Sequence, residues 1–146
     1  MTNEEFKELC DMKKHFIDEN IHLPAAGNKL DKSIPVYSDS TKDVFTLDID
    51  RRGITLTKKK LQERHGNTNT VMIRLEIDCR PHMFSDGRKS SRNHIHVFDE
   101  QDDKTFDIDE KYVNIFSDTD DFVTLFFDFC RMCNIKTDGI NIQGVI

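Results

Sequence analysis

The sequence predicts an α+β fold, in which an antiparallel sheet of four to five strands is flanked by an N-terminal and a C-terminal helix. Two observations predict it. Apolar residues recur at helical spacing near both ends of the chain, and they alternate with polar residues in the segments between. Helices set apart from a run of strands are typical of α+β proteins. The 146 residues contain no repeat and no linker rich in Pro or Gly, so we expect one domain over residues 1–146.

The first element is predicted to be a helix over residues 3–19. Thr2 and Glu5 match a capping box, in which two side chains satisfy free amides of the first helical turn. Apolar residues then fall on one helical face. They are Phe6, Leu9, Cys10, Phe16 and Ile17. The next segment, 20–42, contains two prolines and a glycine and is predicted to be irregular.

Strand signals occupy the middle of the chain, and the clearest is the alternation over residues 71–79. There the apolar residues share one face, while Arg74, Glu76 and Asp78 share the other. Strands are predicted at 44–50, 54–61, 71–79, 94–98 and 105–108.

A second helix is predicted over residues 119–134, where apolar residues recur at helical spacing. Cys130 and Cys133 lie on its apolar stripe. A redox pair with this Cys-x-x-Cys spacing needs the N-terminus of a helix. The position near the helix end therefore predicts two buried thiols.

The overall charge excludes several classes of protein. The chain has 21 basic and 27 acidic residues and a net charge of −6, whereas a generic DNA-binding protein is basic. No apolar run approaches the roughly 20 residues of a membrane helix, and the first residues lack the apolar stretch of a signal peptide. We therefore expect a cytoplasmic protein without direct nucleic-acid or membrane contacts, whose four cysteines are not disulfide-bonded.

Candidate metal ligands concentrate in the segment Cys79-Arg-Pro-His82-x11-His94-Ile-His96. If residues 94–98 form a strand, His94 and His96 point to the same face and can hold one ion. His82 from the preceding loop would be a third ligand, and Cys79 or a water would be the fourth. Because zinc suits mixed nitrogen and sulfur ligands in tetrahedral geometry, the segment predicts a structural zinc site.

Two alternatives remain open for this segment. His94 and His96 could be ordinary strand residues without a metal, and Cys79 could belong to the core because it shares a strand face with Ile77. A zinc-dependent hydrolase of the phosphodiesterase or nuclease kind is the functional alternative, since three histidines and an open water position are typical of catalytic zinc.

The charges are also distributed unevenly along the chain. Residues 51–92 hold eleven Lys and Arg against four acids, whereas residues 99–128 hold eleven acids against two Lys. Such a bipolar surface is either solvated or attracts a charged partner. The candidate partner-binding residues are Asp99, Glu100, Asp102, Asp103, Asp107, Asp109 and Glu110.

The pattern Arg80-Pro81-His82, Asp86-Gly87 and His94-x-His96 resembles a family of small proteins that carry a domain of unknown function. That family occurs in low-GC Gram-positive bacteria and their phages. The opening Glu4-Glu5-Phe6-Lys7 is similar as well. The resemblance implies that His82, His94 and His96 are a shared set, of which Cys79 is not part, and it comes with no established activity.

A looser resemblance, in size and acidity, is to type II-A anti-CRISPR proteins, and within them to a zinc-containing member. It implies a protein of a bacterial host cytoplasm that binds Cas9, or another basic nucleic-acid-binding protein, and blocks DNA loading. In that interpretation a structural zinc fixes the loop before His94, and the acidic residues of segment 99–121 contact the partner.

Overall fold

The computed structural model describes residues 1–144, which are organised around an eight-stranded sheet. Two further strands, β2 and β10, pair with each other outside this sheet. The strands are β1 Lys14–Phe16, β2 Asn20–Leu23, β3 Ile34–Ser38, β4 Val44–Asp50, β5 Lys59–His65, β6 Thr70–Ile77, β7 His94–Val97, β8 Lys104–Asp107, β9 Ile135–Lys136 and β10 Asn141–Gly144. The helices are α1 Asn3–Asp11, α2 Ile108–Lys111 and α3 Phe122–Met132.

The large sheet has the order β8-β7-β6-β5-β4-β3-β1-β9, and its neighbours are antiparallel except for the parallel pair β1 and β9. Strands β2 and β10 form a separate parallel pair. The α+β class and the antiparallel sheet agree with the sequence prediction, but the sheet has more strands than the four to five expected. No helix within residues 1–144 is long and apolar enough to span a membrane.

The predicted helix over residues 3–19 is too long, because α1 ends at Asp11 and β1 follows. The change is tied to Lys14, whose side chain is completely buried. Its Nζ donates hydrogen bonds to the carbonyl oxygens of Met12 at 3.1 Å and Cys133 at 2.8 Å. These bonds satisfy the buried ammonium group at the start of the strand.

Two further differences concern loops. The segment 20–42, predicted to be irregular, contains β2 and β3. The strand predicted at 54–61 begins only at Lys59, because the residues before it form turns. The hydroxyls of Thr55 and Thr57 there donate to the carboxylate of Asp78, more than 20 residues away in sequence. That tertiary contact favours the turn over the strand.

One face of the sheet is the hydrophobic core. A row of cross-strand partners runs from Ile49 through Leu61, Leu75 and Ile95 to Phe106. The first four are buried, and the core cluster that contains them includes Leu125, Phe126 and Phe129 of α3. Cys130 and Cys133 are buried free thiols in the same helix region, as their spacing indicates.

The opposite face carries two polar rows, because side chains alternate along each strand. One row is Asp50, Lys60, Glu76, His94 and Asp107, in cross-strand order. The neighbouring row is Asp48, Gln62, Arg74, His96 and Thr105. Residues directly opposite each other in such rows are in side-chain contact range, so this register assembles the candidate site.

Candidate metal centre

Three potential metal ligands meet on the polar face of the sheet: Glu76 of β6, and His94 and His96 of β7. One ligand atom from each lies within 4.8 Å of the other two. The Nε2 atoms of His94 and His96 lie 3.1 and 2.6 Å from the same oxygen, Oε2 of Glu76. The alternation of β7 thus places both imidazoles on one strand face, and the pairing of Glu76 with His94 supplies a carboxylate.

The ring of His94 is held in one orientation from behind. Its Nδ1 lies 2.9 Å from the carbonyl oxygen of Ser91, and because a carbonyl only accepts, Nδ1 carries the proton of this bond. A neutral His94 therefore presents the lone pair of Nε2 to the carboxylate. Two electron-rich atoms repel each other at this distance unless a proton or a metal cation lies between them.

The ring of His96 also has a partner behind it. Its Nδ1 lies 2.8 Å from the hydroxyl oxygen of Thr105 on β8, the residue opposite it in the sheet. A second hydrogen bond on the nitrogen that faces away from the ion is typical of metal-binding histidines, whose orientation and basicity it sets.

Glu76 is nearly buried and sits among positive charges. The Nζ of Lys60 lies 3.6 Å from Oε1, and the Nε of Arg74 lies 3.5 Å from Oε2. Burial raises the pKa of Glu76, but the hydrogen bonds with His94 and His96 and the charge of Arg74 outweigh it and lower the pKa overall. The residue is therefore an anion near neutral pH, which is the form that binds metal.

The loop before β7 is packed against the cluster by its own hydrogen bonds. The backbone amide of His82 donates to the hydroxyl of Ser90, and this hydroxyl donates to the Ser91 carbonyl, both at 2.8 Å. The amide of Ser91 donates to Asp107 of the edge strand at 2.7 Å. The loop thus positions the carbonyl that orients His94.

The structure places His82 beside the cluster and half-buried. The centroid of its ring lies 5.3 Å from that of His96, edge to face, and 5.0 Å from that of Phe84. Burial lowers the pKa of His82, and the nearby His96 and His94 lower it further. His82 is consequently favoured in its neutral form, the form in which imidazole binds a metal.

Cys79 lies in the core rather than among the histidines. Its side chain is buried, and Sγ lies 3.4 Å from the carbonyl oxygen of Ile77 and 3.7 Å from that of Lys59. The contacts are those of a thiol that donates to backbone carbonyls. Burial raises the pKa of Cys79, and the charge of Glu76 adds to that effect, so the thiolate needed for metal binding is disfavoured.

Glu76 was missed as a ligand by the sequence analysis. The alternation of residues 71–79 already places it on the polar face of its strand. What the pattern does not contain is the register that sets Glu76 opposite His94, since this depends on how β6 and β7 pair.

The candidate partner-binding acids have two kinds of surroundings. Five are exposed: Glu100, Asp102, Asp103, Asp109 and Glu110. Of these, Glu100 also accepts from the amide of Asn3 at 2.8 Å. The other two are half-buried: Asp99 accepts from the amide of Gln101 at 3.0 Å, and Asp107 accepts from the amide of Ser91.

Four of the exposed acids, Asp102, Asp103, Asp109 and Glu110, lie near the edge of the sheet formed by β8. Asp102 and Asp103 line one cleft, and Glu110 lines a second. The two clefts adjoin, because Phe84, Thr105 and Phe106 line both of them.

The fold and the cluster together define an α+β protein with one buried histidine, one half-buried histidine and a buried carboxylate on the polar face of its sheet. The chain belongs to a family of unknown function, DUF6978, whose model matches residues 1–135. Searches of curated proteins and of solved structures find no match.

Proposed function

We propose that the protein is a metal-stabilised binding protein, in which one zinc ion is held by Glu76, His94, His96 and His82. The observation that carries the proposal is the convergence of the Nε2 atoms of His94 and His96 on one carboxylate oxygen of Glu76, while the Ser91 carbonyl holds Nδ1 of His94. A divalent cation between these groups removes their repulsion and binds His96 as well.

The spacing of the ligands is compatible with this ion. A tetrahedral zinc with bonds of about 2.0–2.1 Å holds its ligand atoms roughly 3.3 Å apart. The present separations from Oε2 of Glu76 are 3.1 and 2.6 Å, so the carboxylate retreats by less than about 1 Å to admit the ion. His82, in contact range of His96, completes four ligands after a small shift of its loop.

The burial of the cluster supports a structural role for the metal. The side chain of His94 is 1% exposed, and those of Glu76 and His96 are 10% and 11% exposed. Catalytic zinc needs an open coordination position, whereas structural zinc has four protein ligands. The hydrolase alternative is therefore less well supported than a metal that fixes the loop 78–93 onto the sheet.

The metal can be tested on protein that is produced without a histidine tag. We expect close to one zinc per chain by elemental analysis, and a loss of at least half of it in Glu76→Gln, His94→Ala and His82→Ala. The exposed His22 of β2 offers a matched control, since His22→Ala should retain the full amount. Less than about 0.3 zinc per folded wild-type chain, with no iron or manganese in its place, would falsify the metal site.

The binding surface that we propose is the acidic edge around β8. Three exposed acids, Asp102, Asp103 and Glu110, line the adjoining clefts there, together with the basic residues Lys104, Arg88 and Lys89. Strand β8 is an edge strand, whose only strand partner within residues 1–144 is β7. Acidic side chains complement a basic protein and accelerate its association. The partner is a basic nucleic-acid-binding protein, and the resemblance in size and acidity to anti-CRISPR proteins suggests Cas9 as the first candidate.

Charge-reversal variants distinguish binding through this surface from a general effect of the protein's net charge. We expect the double variant Asp102→Lys, Asp103→Lys to lose Cas9 binding in a pull-down at 150 mM salt. The exposed acids Asp18 and Glu19 lie next to β2, and their double reversal changes the net charge equally while leaving binding intact. If both double variants bind like wild type, the acidic edge is not the interface, and no binding by wild type eliminates Cas9 as the partner.

A further inference from the structure

We infer that a cleft on the polar face of the sheet, next to the metal cluster, binds a small phosphorylated sugar. The cleft has a volume of about 470 Å³ and lies between strands β4 to β6 and the segment 29–33. This volume is in the range of small-molecule sites. The cleft is separate from the acidic clefts beside β8, and the inference is independent of the partner proposed above.

Two of the three acids that line the cleft, Asp48 and Asp50, are neutralised by arginines, whereas the third, Asp31, is exposed on the facing segment. Asp50 accepts from Nη2 of Arg52 at 2.8 Å and from its Nε at 3.0 Å, and this pairing lowers the pKa of Asp50 to about 2. Asp48 accepts from Nε and Nη2 of Arg64 at 2.6 and 3.1 Å. Neither carboxylate therefore adds an unbalanced negative charge to the cleft.

The cations on the side of the metal cluster are not balanced in this way. Lys60 and Arg74 both line the cleft, and their one ion-pair partner within residues 1–144 is the same residue, Glu76, at 3.6 and 3.5 Å. That carboxylate is also shared with the two histidines. One negative charge thus faces two permanent cations, which leaves the inner end of the cleft electropositive.

Arg74 also has an unused hydrogen-bond donor. Its Nε is buried and makes no hydrogen bond to any residue in 1–144, although the side chain as a whole is 41% exposed. A buried donor without a partner costs free energy, and arginine binds phosphate oxygens through paired N–H groups. A phosphate between Arg74 and Lys60 would satisfy this donor and both charges.

The remainder of the cleft suits hydroxyl groups rather than an apolar ligand. The amide nitrogen of Gln62 donates to Asp48 at 2.8 Å, which leaves the amide oxygen of Gln62 as an acceptor. Asp31 and Ser33 of the facing segment are polar, and Leu30 and Ile49 supply a small apolar wall. A sugar with a terminal phosphate fits this arrangement, with the phosphate at the two cations and the hydroxyl groups along the polar remainder of the cleft.

The probes for calorimetric titration are ribose 5-phosphate, inorganic phosphate and ribose, in a buffer without phosphate. We expect ribose 5-phosphate to bind, inorganic phosphate to bind more weakly, and ribose not to bind. Lys60→Gln and Arg74→Gln should each weaken binding of ribose 5-phosphate about tenfold, the value of one charge-assisted hydrogen bond. Lys42→Gln, which removes an exposed charge elsewhere, should not change it.

The same titration on protein treated with a metal chelator distinguishes this inference from the metal proposal. If the metal site exists, its removal weakens binding without abolishing it, because Lys60 and Arg74 remain. If the protein contains no metal, binding through these two residues is still expected. The inference is overturned if ribose 5-phosphate does not bind wild type at ligand concentrations on the order of 10 mM. It is also overturned if the folded variants Arg74→Gln and Lys60→Gln both bind ribose 5-phosphate like wild type.

Discussion

The Ser91 carbonyl oxygen accepts the Nδ1 proton of His94 at 2.9 Å, and this contact determines which ring nitrogen faces Glu76. The contact joins a loop residue to a strand residue three positions later. It also explains how a loop that contributes His82 can influence two ligands at once, since Ser91 is held by Ser90 and Asp107. The loop and the cluster therefore form one unit.

The hydrogen bond behind His96 should tune metal affinity. We expect Thr105→Val to weaken zinc binding about tenfold, because loss of a second hydrogen bond on a ligating histidine typically costs 10–100-fold. The measurement is competition with a chelator of known affinity. Thr46→Val is a matched control, because Thr46 lies on the polar face of β4 and its hydroxyl makes no hydrogen bond within residues 1–144. Equal affinity in both variants would contradict the proposed role of Thr105.

Cys79→Ala should retain zinc, because the thiol lies against the backbone carbonyls of Ile77 and Lys59 and burial favours its protonated form. Elemental analysis of the folded variant checks this. A loss of zinc as large as that in His94→Ala would instead make Cys79 the fourth ligand, in place of His82.

Metal removal should loosen the loop 78–93 without unfolding the sheet. The loop carries Arg88 and Lys89, both exposed, so limited trypsin digestion reports its opening. We expect chelated protein to be cut there at least several-fold faster than zinc-loaded protein, because local opening follows the loss of tertiary restraint. Cleavage after the exposed Lys42 provides the internal standard and should keep its rate. Identical digestion of both forms would show that the loop needs no metal.

The buried carboxyl of Glu63 should make the protein less stable as pH rises. Both carboxyl oxygens are buried. Burial raises the pKa of Glu63 from 4.5 to about 7, and the charge of Lys14 and the Cys133 thiol only partly oppose this. The folded state therefore binds more protons than the unfolded state between these pH values, so the free energy of unfolding falls as pH rises through this window.

The isosteric variant Glu63→Gln removes this titration. As pH rises from below 4.5 to above 7, wild type should lose roughly 3 kcal/mol of unfolding free energy relative to Glu63→Gln. Urea denaturation at several pH values measures it. Other groups titrate alike in both proteins, so a difference that does not vary with pH would show that Glu63 titrates normally.

The sequence was sufficient to predict those parts of the site that depend on local periodicity. His94 and His96 share a strand face because alternation has a period of two, and the same rule places Glu76 on the polar face of β6. The pairing of Glu76 with His94 could not be predicted, since register depends on the whole sheet. The assembly of the site therefore required the structure.

The errors in the fold have a similar cause. The predicted helix over residues 3–19 includes Lys14, a residue type that is rarely fully buried, yet the carbonyl oxygens of Met12 and Cys133 supply the partners that make its burial in β1 possible. Cys133 is more than 100 residues away in sequence. Strand β1 thus depends on a contact that no local pattern contains.

The parallel pairs β1 with β9 and β2 with β10 join segments from opposite ends of the described chain. During synthesis, β1 and the antiparallel strands β3 to β8 can pair as they leave the ribosome, whereas β2 and the outer edge of β1 wait for residues beyond 134. An assay on stalled nascent chains should find Glu76, His94 and His96 brought together before β1 and β2 acquire their parallel partners. Assembly of the candidate metal site and closure of the sheet are then two separable events in the life of the molecule.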